Sequence, residues 1–528
     1  MSGERASLTK TYQMKKQVAI PNISTIWLPY RLILLIICLL SPPDSQSILN
    51  IPPRGETNDK EHARTIPPMS SEPTDTDDFR DLDEVIEGVG QIKERGRIPS
   101  QIHNDPQIHQ RELERVFSNT WTFVGHESEI PEEGDYAKRY IGDTPFIFVR
   151  DDEGEIQVLF DSCQHRGTTV VRAEQGNTSY FRCPYHNWTY SNTGELVGVP
   201  HKEEFFQDLD VCEQALKSAS QVDTYAGLVF ATLSPGTEPL NKYLGGMKWY
   251  LDLNLKFAKG GLEVVGEPIR WESDMNWKIA ADNFTGDSYH TLATHKSAMD
   301  LDIFPPSLSA AGAERTPVDV TDCGGHSCML AYLENQEYTG GYPEDLFTDN
   351  YLSDAQFQIA KGLVSCVGTV FPNLSFLQMN LTPDPENQEI TAFVNLRKWQ
   401  PIGPKTTQVW NWILVPSSAS SEFKKRAYRT GIGTFSVAGS FEVDDFAVWD
   451  GISEAAGSSF GKRTDHEADF RMGVDEMSDA TNISDSWPGP GEAYDTNFED
   501  GTMQTFYQSW YRAMIGRPIG AGGDHDDQ

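Results

Sequence analysis

The chain has 528 residues, with 78 Asp and Glu against 43 Lys and Arg and a formal net charge of −35. That length accommodates two to four domains of about 100–200 residues each, and so acidic a surface excludes nucleic acid and anionic membranes as partners, because both require basic protein surface. The same charge keeps a protein soluble through self-repulsion, as in halophiles, and we expect a salt-adapted protein. Seven cysteines, at 38, 163, 183, 212, 323, 328 and 366, form an odd and sparse set unlike a secreted disulfide framework. A reducing, cytoplasmic setting fits them.

The first apolar run, "IWLPYRLILLIICLL" at 26–40, follows Lys15 and Lys16 in the order of a signal peptide. It is shorter than the ~20 residues of a comfortable membrane span, and Arg31 interrupts it. A Pro-rich polar stretch then runs to about residue 68, and Met69 opens "MSSEPTDTDDF" in the acidic style of the rest. Residues 1–68 read either as a targeting segment or, the reading we prefer, as an extension outside the fold. Residues 69–119 carry helical signals, with Ile108, Leu113, Val116 and Phe117 able to share one face. From 120 to 240, runs such as "PFIFVR", "IQVLF" and "GLVFATL" between "DDEG" and "NTG" turns predict a small antiparallel β-domain. Residues 241–519 hold helical stretches near 275–297, then the strands "LSFLQMNLTP", "ITAFVNLRKW" and "TQVWNWILVP". They close on a helix whose stripe Phe506, Trp510 and Met514 faces a core. The tail, 520–528, reads as disordered. The fold class is α+β: the small β-domain plus a larger domain in which helices flank an antiparallel sheet.

Two short segments carry the first chemistry. Cys163-x-His165 in "CQHRG" and Cys183-x-x-His186 in "CPYHNW" bring two thiols and two imidazoles together across a short gap. One tetrahedral zinc could use all four. A Rieske [2Fe–2S] centre uses them differently, with two Cys on one iron and two His on the other. We expect both loops at the tips of adjacent hairpins, with a cluster between them near the surface.

The second candidate lies in "NWKIAADNFTGDSYHTLATH" at 276–295. Iron(II) oxygenases without haem hold the metal with two His and one carboxylate and leave other positions open. On a continuous α-helix His290 and His295 would point about 140° apart, so a π-bulge or a helix end between them is required for convergence. Asn283, Asp287 and His290 share a face at i, i+4 and i+7. Alone, such a His pair reads equally as two structural histidines; a Rieske-type motif upstream favours the metal.

The two loops resemble the Rieske centre of ring-hydroxylating oxygenases, with its Cys-x-His-Arg-Gly and Cys-Pro-Tyr-His-x-Trp patterns. Segment 276–295 is similar to the Asp/Glu-Asn-x-x-x-Asp-x-Tyr-His-x-x-x-x-His motif of naphthalene-dioxygenase-like large subunits, and the resemblance runs from about residue 85 to 515. Asn187 stands where the family usually has Gly. Thr168 and Tyr185 stand near the positions where respiratory Rieske proteins carry an extra cysteine pair. The resemblance implies a [2Fe–2S] cluster on Cys163, His165, Cys183 and His186, and mononuclear Fe(II) on His290, His295 and a downstream carboxylate. In "TFSVAGSFEVDDFAVWD" that ligand is Asp445, with Asp444 as the alternative. It further implies that Asp287, beside Asn283, bridges His290 to His186 of a neighbouring subunit. Phe284, Thr291, Phe435 and Phe441 fall at pocket-lining positions of the family, and the catalytic domain is expected to be helix-grip-like. The implied activity is cis-dihydroxylation of an aromatic ring with O₂. Electrons would come from NAD(P)H through a reductase and a ferredoxin, in a trimer or an α3β3 hexamer with a small β subunit. A Rieske monooxygenase or demethylase is the alternative; a pure electron carrier or zinc protein leaves the long chain after His290 unexplained. "CGGHSC", 323–328, lacks a fourth ligand and reads as a loop near the active-site entrance. The sequons at Asn177 and Asn482 carry no meaning in a cytoplasm.

Overall fold

The apolar runs between 120 and 240 fold into three small antiparallel sheets in the computed structural model, which describes residues 81–301, 303, 315–334, 340–382, 389–474 and 480–519. The expectations for residues 1–68 and 520–528 lie outside the described residues. One sheet joins Gln221–Tyr225, Leu228–Thr232 and Thr122–His126. A second has the order Ile156–Phe160, Thr144–Arg150, Asp135–Ile141, Gln175–Asn177. The third is the meander Tyr180–Arg182, Thr189–Ser191, Leu196–Gly198.

Only one of the two Cys–His loops is a hairpin tip. Residues 183–188 connect the paired strands Tyr180–Arg182 and Thr189–Ser191. The segment carrying Cys163 and His165 instead runs from one edge strand of the four-stranded sheet, Ile156–Phe160, to the opposite edge, Gln175–Asn177. Its course is fixed by Asp161, a buried carboxylate that accepts from the backbone N–H groups of Val170 (2.6 Å) and Val171 (3.0 Å). Both valines thereby enter a local core with Cys163, Cys183, Trp188 and Tyr190.

The larger part is built on a nine-stranded antiparallel sheet. Its order is Leu262–Val264, Thr406–Pro416, Thr391–Gly403, Leu374–Leu381, Leu363–Val370, Ser327–Leu333, Arg315–Asp322, Glu492–Tyr494, with Ile269–Ser273 also pairing with Thr406–Pro416. Thr391–Gly403 is buried over eleven consecutive residues, so its sequence shows a continuous run rather than alternation. One reason is that the small β-sheets cover it: Lys398 Nζ donates to the Tyr140 carbonyl and Gln400 Nε2 to that of Gly142.

Three helices matter for the site: α1 (Trp277–Gly286), α2 (Glu442–Gly457) and α3 (Gly501–Met514). Asn276 caps α1, its Oδ1 accepting from Lys278 N at 3.1 Å. A buried polar knot then pins α1. Lys278 Nζ donates to Glu112 Oε1 at 2.5 Å with both side chains fully buried, while Trp277 and Trp510 indole N–H groups reach the same carboxylate at 2.9 and 2.8 Å. Phe506, Trp510 and Met514 are buried on α3, and Ile108, Leu113, Val116 and Phe117 are buried beneath them in the same core, as the spacing predicts.

"CGGHSC" is not an entrance loop. Cys323, His326 and Cys328 are buried, and both His326 nitrogens are used structurally, Nε2 toward the Tyr243 carbonyl (3.0 Å) and Nδ1 accepting from Phe371 N (3.1 Å). The two glycines allow this turn: Gly324 and Gly325 have φ of 93° and 85°.

Candidate metal centres

In the cluster loops the cysteines lie deeper than the histidines. Cys163 and Cys183 are buried, whereas His165 and His186 are half-buried with ring centroids 4.5 Å apart. Trp188 stacks on His165 at 4.8 Å, and Tyr185 packs on His186 at 3.8 Å. Tyr190 closes the floor, its hydroxyl 3.3 Å from Cys163 Sγ and accepting from Gln164 N at 3.0 Å. Burial pushes the Cys183 thiol up, so a cation is needed to hold it as thiolate. His165 Nδ1 is buried without a protein partner, as an imidazole waiting for a metal should be. Asn187 adopts φ 60°; among residues with a Cβ, Asn tolerates this left-handed turn best, so the departure from Gly keeps the loop's course.

The mononuclear candidate depends on a helix end. Helix α1 stops at Gly286, Asp287 N–H closing on the Asn283 carbonyl at 3.1 Å. A short turn, His290–Leu292, follows, and His295 begins the next helix. That break replaces the divergence of an unbroken helix with convergence, bringing the two Nε2 atoms within 3.1 Å. Asp445, in the first turn of α2, places Oδ1 3.3 Å from His295 Nε2 and 3.7 Å from His290 Nε2. Ligand atoms about 2.0–2.2 Å from one metal and at right angles to each other sit about 3 Å apart, so the trio fits adjacent corners of one coordination sphere. Among the described residues, this is the trio of possible metal donors that closes so tightly. Asp444 points elsewhere, accepting from Ser297 Oγ at 2.8 Å.

The electrostatics suit a bound cation. Burial, aided by the neighbouring Glu442 charge, pushes Asp445 up to about 8, and its Oδ1 has no hydrogen-bond donor. Burial and the nearby His290 push His295 down to about 3, keeping it neutral as a ligand must be. At Asp287 burial alone would raise the carboxyl, but hydrogen bonds from His290 and its charge outweigh it and hold the group below its ordinary value. His290 shifts oppositely: burial works to lower it and Asp287 raises it. Asp287 Oδ2 lies 3.3 Å from His290 Nδ1, and Asp287 Oδ1 accepts from His290 N at 3.2 Å. Asn283 Nδ2 faces both, 3.3 Å from Asp287 Oδ2 and 3.2 Å from His290 Nδ1. Asn283, Asp287 and His290 therefore meet, but around the end of α1 and not along one helix face.

A cavity of about 440 Å³ opens beside Asn283, Asp287, His290 and Asp445, with Val448, Trp449 and Ile452 of α2 as its apolar wall. None of Phe284, Thr291, Phe435 and Phe441 lines it. Phe441 instead packs on the His295 ring at 5.0 Å and stacks on Phe435 at 5.1 Å; Phe284 packs on Trp399 at 5.2 Å; and Thr291 is half-buried in the turn between the histidines. Three contributors are not legible as site residues in the sequence. His103 and His466 line the cavity from remote segments, with no local pattern to reveal them. Arg397 is fully buried against Glu442; a charge inside the apolar run "ITAFVNLRKW" is the signal that could have found it.

Comparison with known proteins agrees with this architecture. Residues 120–225 match the model of the Rieske [2Fe-2S] domain and residues 261–516 that of the ring hydroxylating alpha subunit (catalytic domain). The chain is 32% identical over 449 residues to the N,N-dimethyl phenylurea N-demethylase subunit alpha of Sphingobium sp. (strain YBL2), covering 82% of this chain and 95% of that one. It is 32% identical over 432 residues to the chlorobenzene dioxygenase subunit alpha of Cupriavidus sp. (strain PS12), covering 79% and 91%. The structure of naphthalene 1,2-dioxygenase from Rhodococcus sp. bound to indole superimposes with a TM-score of 0.77 at 38% identity, covering 82% of this chain and 98% of that one. Among the described residues no helix is long and apolar enough to cross a membrane. With a Rieske domain that carries a [2Fe–2S] cluster and a catalytic domain of the type that binds mononuclear iron, the chain is an oxidoreductase and belongs to the alpha subunits of the Rieske ring-hydroxylating oxygenases.

Proposed function

We propose that this chain is the terminal oxygenase that adds both atoms of O₂ to an aromatic ring, giving a cis-dihydrodiol. The observation that carries the proposal is the His290–His295–Asp445 trio, whose three donor atoms fit one face of a metal, with no fourth His, Cys, Asp or Glu joining them among the described residues. Fe(II) held there would supply the open positions at which O₂ is activated. The protein's own groups do the rest. Asp287 holds the His290 ring through Nδ1, so that Nε2 faces the metal. Phe441 fixes the His295 ring by packing on it. The reaction consumes one O₂, two protons and two electrons per ring; the electrons come from NAD(P)H through a reductase and ferredoxin, entering at the cluster of Cys163, His165, Cys183 and His186.

The cavity beside Asp287 and His290 supports an inter-subunit relay, because it gives His186 of a second copy room to approach Asp287. A trimer, with or without small β subunits, satisfies this. The similarity to an N-demethylase alpha subunit favours one second reading, monooxygenation of an N-methyl group by the same metal centres. Turnover of candidate arenes and N-methyl anilides under ¹⁸O₂ separates the two. Two labelled oxygens in one diol support dioxygenation; one labelled oxygen, with formaldehyde released, replaces it by demethylation.

A further inference from the structure

Helix α2 presents two buried carboxylates one turn apart, Glu442 and Asp445, while Val443 between them is exposed and Asp444 is half-buried. Residues at i and i+3 share a face, with Cβ atoms about 5–6 Å apart. Glu442 is the charged group acting most strongly on Asp445. A metal held by Asp445 therefore has a second acid within a side chain's reach, and that acid could occupy a position an oxygenase must keep open.

Arg397 prevents this by position. Its Nη1 donates to both Glu442 carboxylate oxygens, at 2.6 Å to Oε2. The guanidinium is itself anchored to the sheet: Nε donates to Asn395 Oδ1 at 2.8 Å, Nη2 approaches the Phe435 carbonyl at 3.5 Å, and Phe284, Phe435, Trp271 and Trp399 surround it at 5.3–5.8 Å. A cation so fixed holds its anion in one place. We propose that Arg397 is a positioning residue that ties Glu442 back to the sheet and so keeps the metal of His290, His295 and Asp445 at three protein ligands.

The proposal rests on the metal-site reading above, and its test uses the iron-loaded holoprotein with nitric oxide as the probe of an open position. The parent should give the high-spin Fe(II)–NO electron paramagnetic resonance signal. In Arg397→Gln, Glu442 is released toward the metal and takes one of its open positions; iron per chain should be retained, and the parent-type NO signal should fall about tenfold or more, replaced by one of altered rhombicity, because a fourth protein ligand still leaves NO a position. Adding Glu442→Gln to that variant should restore the signal, which a general loss of structure would not do. If Arg397→Gln does not accumulate folded, Arg397→Lys, which keeps the charge but loses the planar donor set, should show a partial loss with full iron content. A variant that keeps the parent signal at full iron content, or a double variant that stays as low as the single one, overturns the proposal alone. A parent with no mononuclear iron and no NO signal overturns the metal-site reading and this proposal together.

Discussion

The two metal centres are built by opposite strategies. The cluster candidate is local: two loops within residues 163–188 contribute all four donors, and a small core of Trp188, Tyr190, Val170 and Val171 supports them. The mononuclear candidate is assembled from afar. Two histidines are brought together by the end of α1, which the Glu112–Lys278 knot pins, and the carboxylate arrives about 150 residues later on α2, which the Arg397–Glu442 pair ties to the nine-stranded sheet. A local site tolerates change elsewhere in the fold; a distributed site inherits every weakness of its scaffold. Damage to the scaffold should thus empty the mononuclear site while the cluster survives.

The largest functional effect is expected at Asp287, the proposed link between the two centres. Asp287→Asn removes the charge that orients the His290 ring, and turnover should fall about 10–100-fold with three irons still bound and the cluster still reducible. Single-turnover kinetics check this; near-parental product formation would break the assigned link. Next, Lys278→Met leaves the buried Glu112 carboxylate without its cation and should cost about 3–5 kcal/mol of stability. Denaturant titration followed by iron analysis should show mononuclear iron lost first and cluster absorbance last. If both leave together, the contrast between local and distributed sites fails.

A third effect concerns pH. Burial raises Asp445 to about 8 in the metal-free protein, above its ordinary value near 3.8. The folded apo-protein therefore holds a proton that the unfolded chain has already lost, so its stability should decline as pH rises from about 4 to about 8. Fe(II) takes the proton's place, so the slope from this group should vanish in the loaded form, and metal binding should release a proton from it. Melting curves of the two forms across this range test the sign. The smallest effect is expected in the cluster loop: Asn187→Val forces a β-branched residue into φ 60° and should cost about 1–2 kcal/mol, read as earlier thermal bleaching of the cluster with mononuclear iron retained.

What the sequence revealed follows the same division. The proposed cluster ligands form two short motifs and so can be named from the sequence alone, whereas the path of the first loop cannot: Asp161 and its two backbone hydrogen bonds carry it across a sheet instead of around a hairpin tip. At the second site the geometry of a regular helix showed that His290 and His295 need an interruption, and the end of α1 at Gly286 supplies it. The choice between Asp444 and Asp445 was open because adjacent residues differ only in which side of α2 they face, and only the packed structure decides that. The cavity wall was illegible: His103 and His466 line the same cavity as Asp287 from remote segments, an arrangement that leaves no periodicity in the chain. "CGGHSC" was misplaced because a turn rich in Gly reads as exposed, whereas His326 spends both ring nitrogens on the interior.

The central claim is that one chain carries two iron centres with separate ligands. It is tested most directly by measuring iron, acid-labile sulfide and the visible spectrum of the parent and of His290→Ala side by side. The account predicts about three irons and two sulfides per parent chain, falling to two irons and two sulfides in the variant with the cluster spectrum unchanged and turnover abolished. Zinc in place of sulfide-bound iron in the parent, or loss of the cluster absorption in His290→Ala, would contradict it.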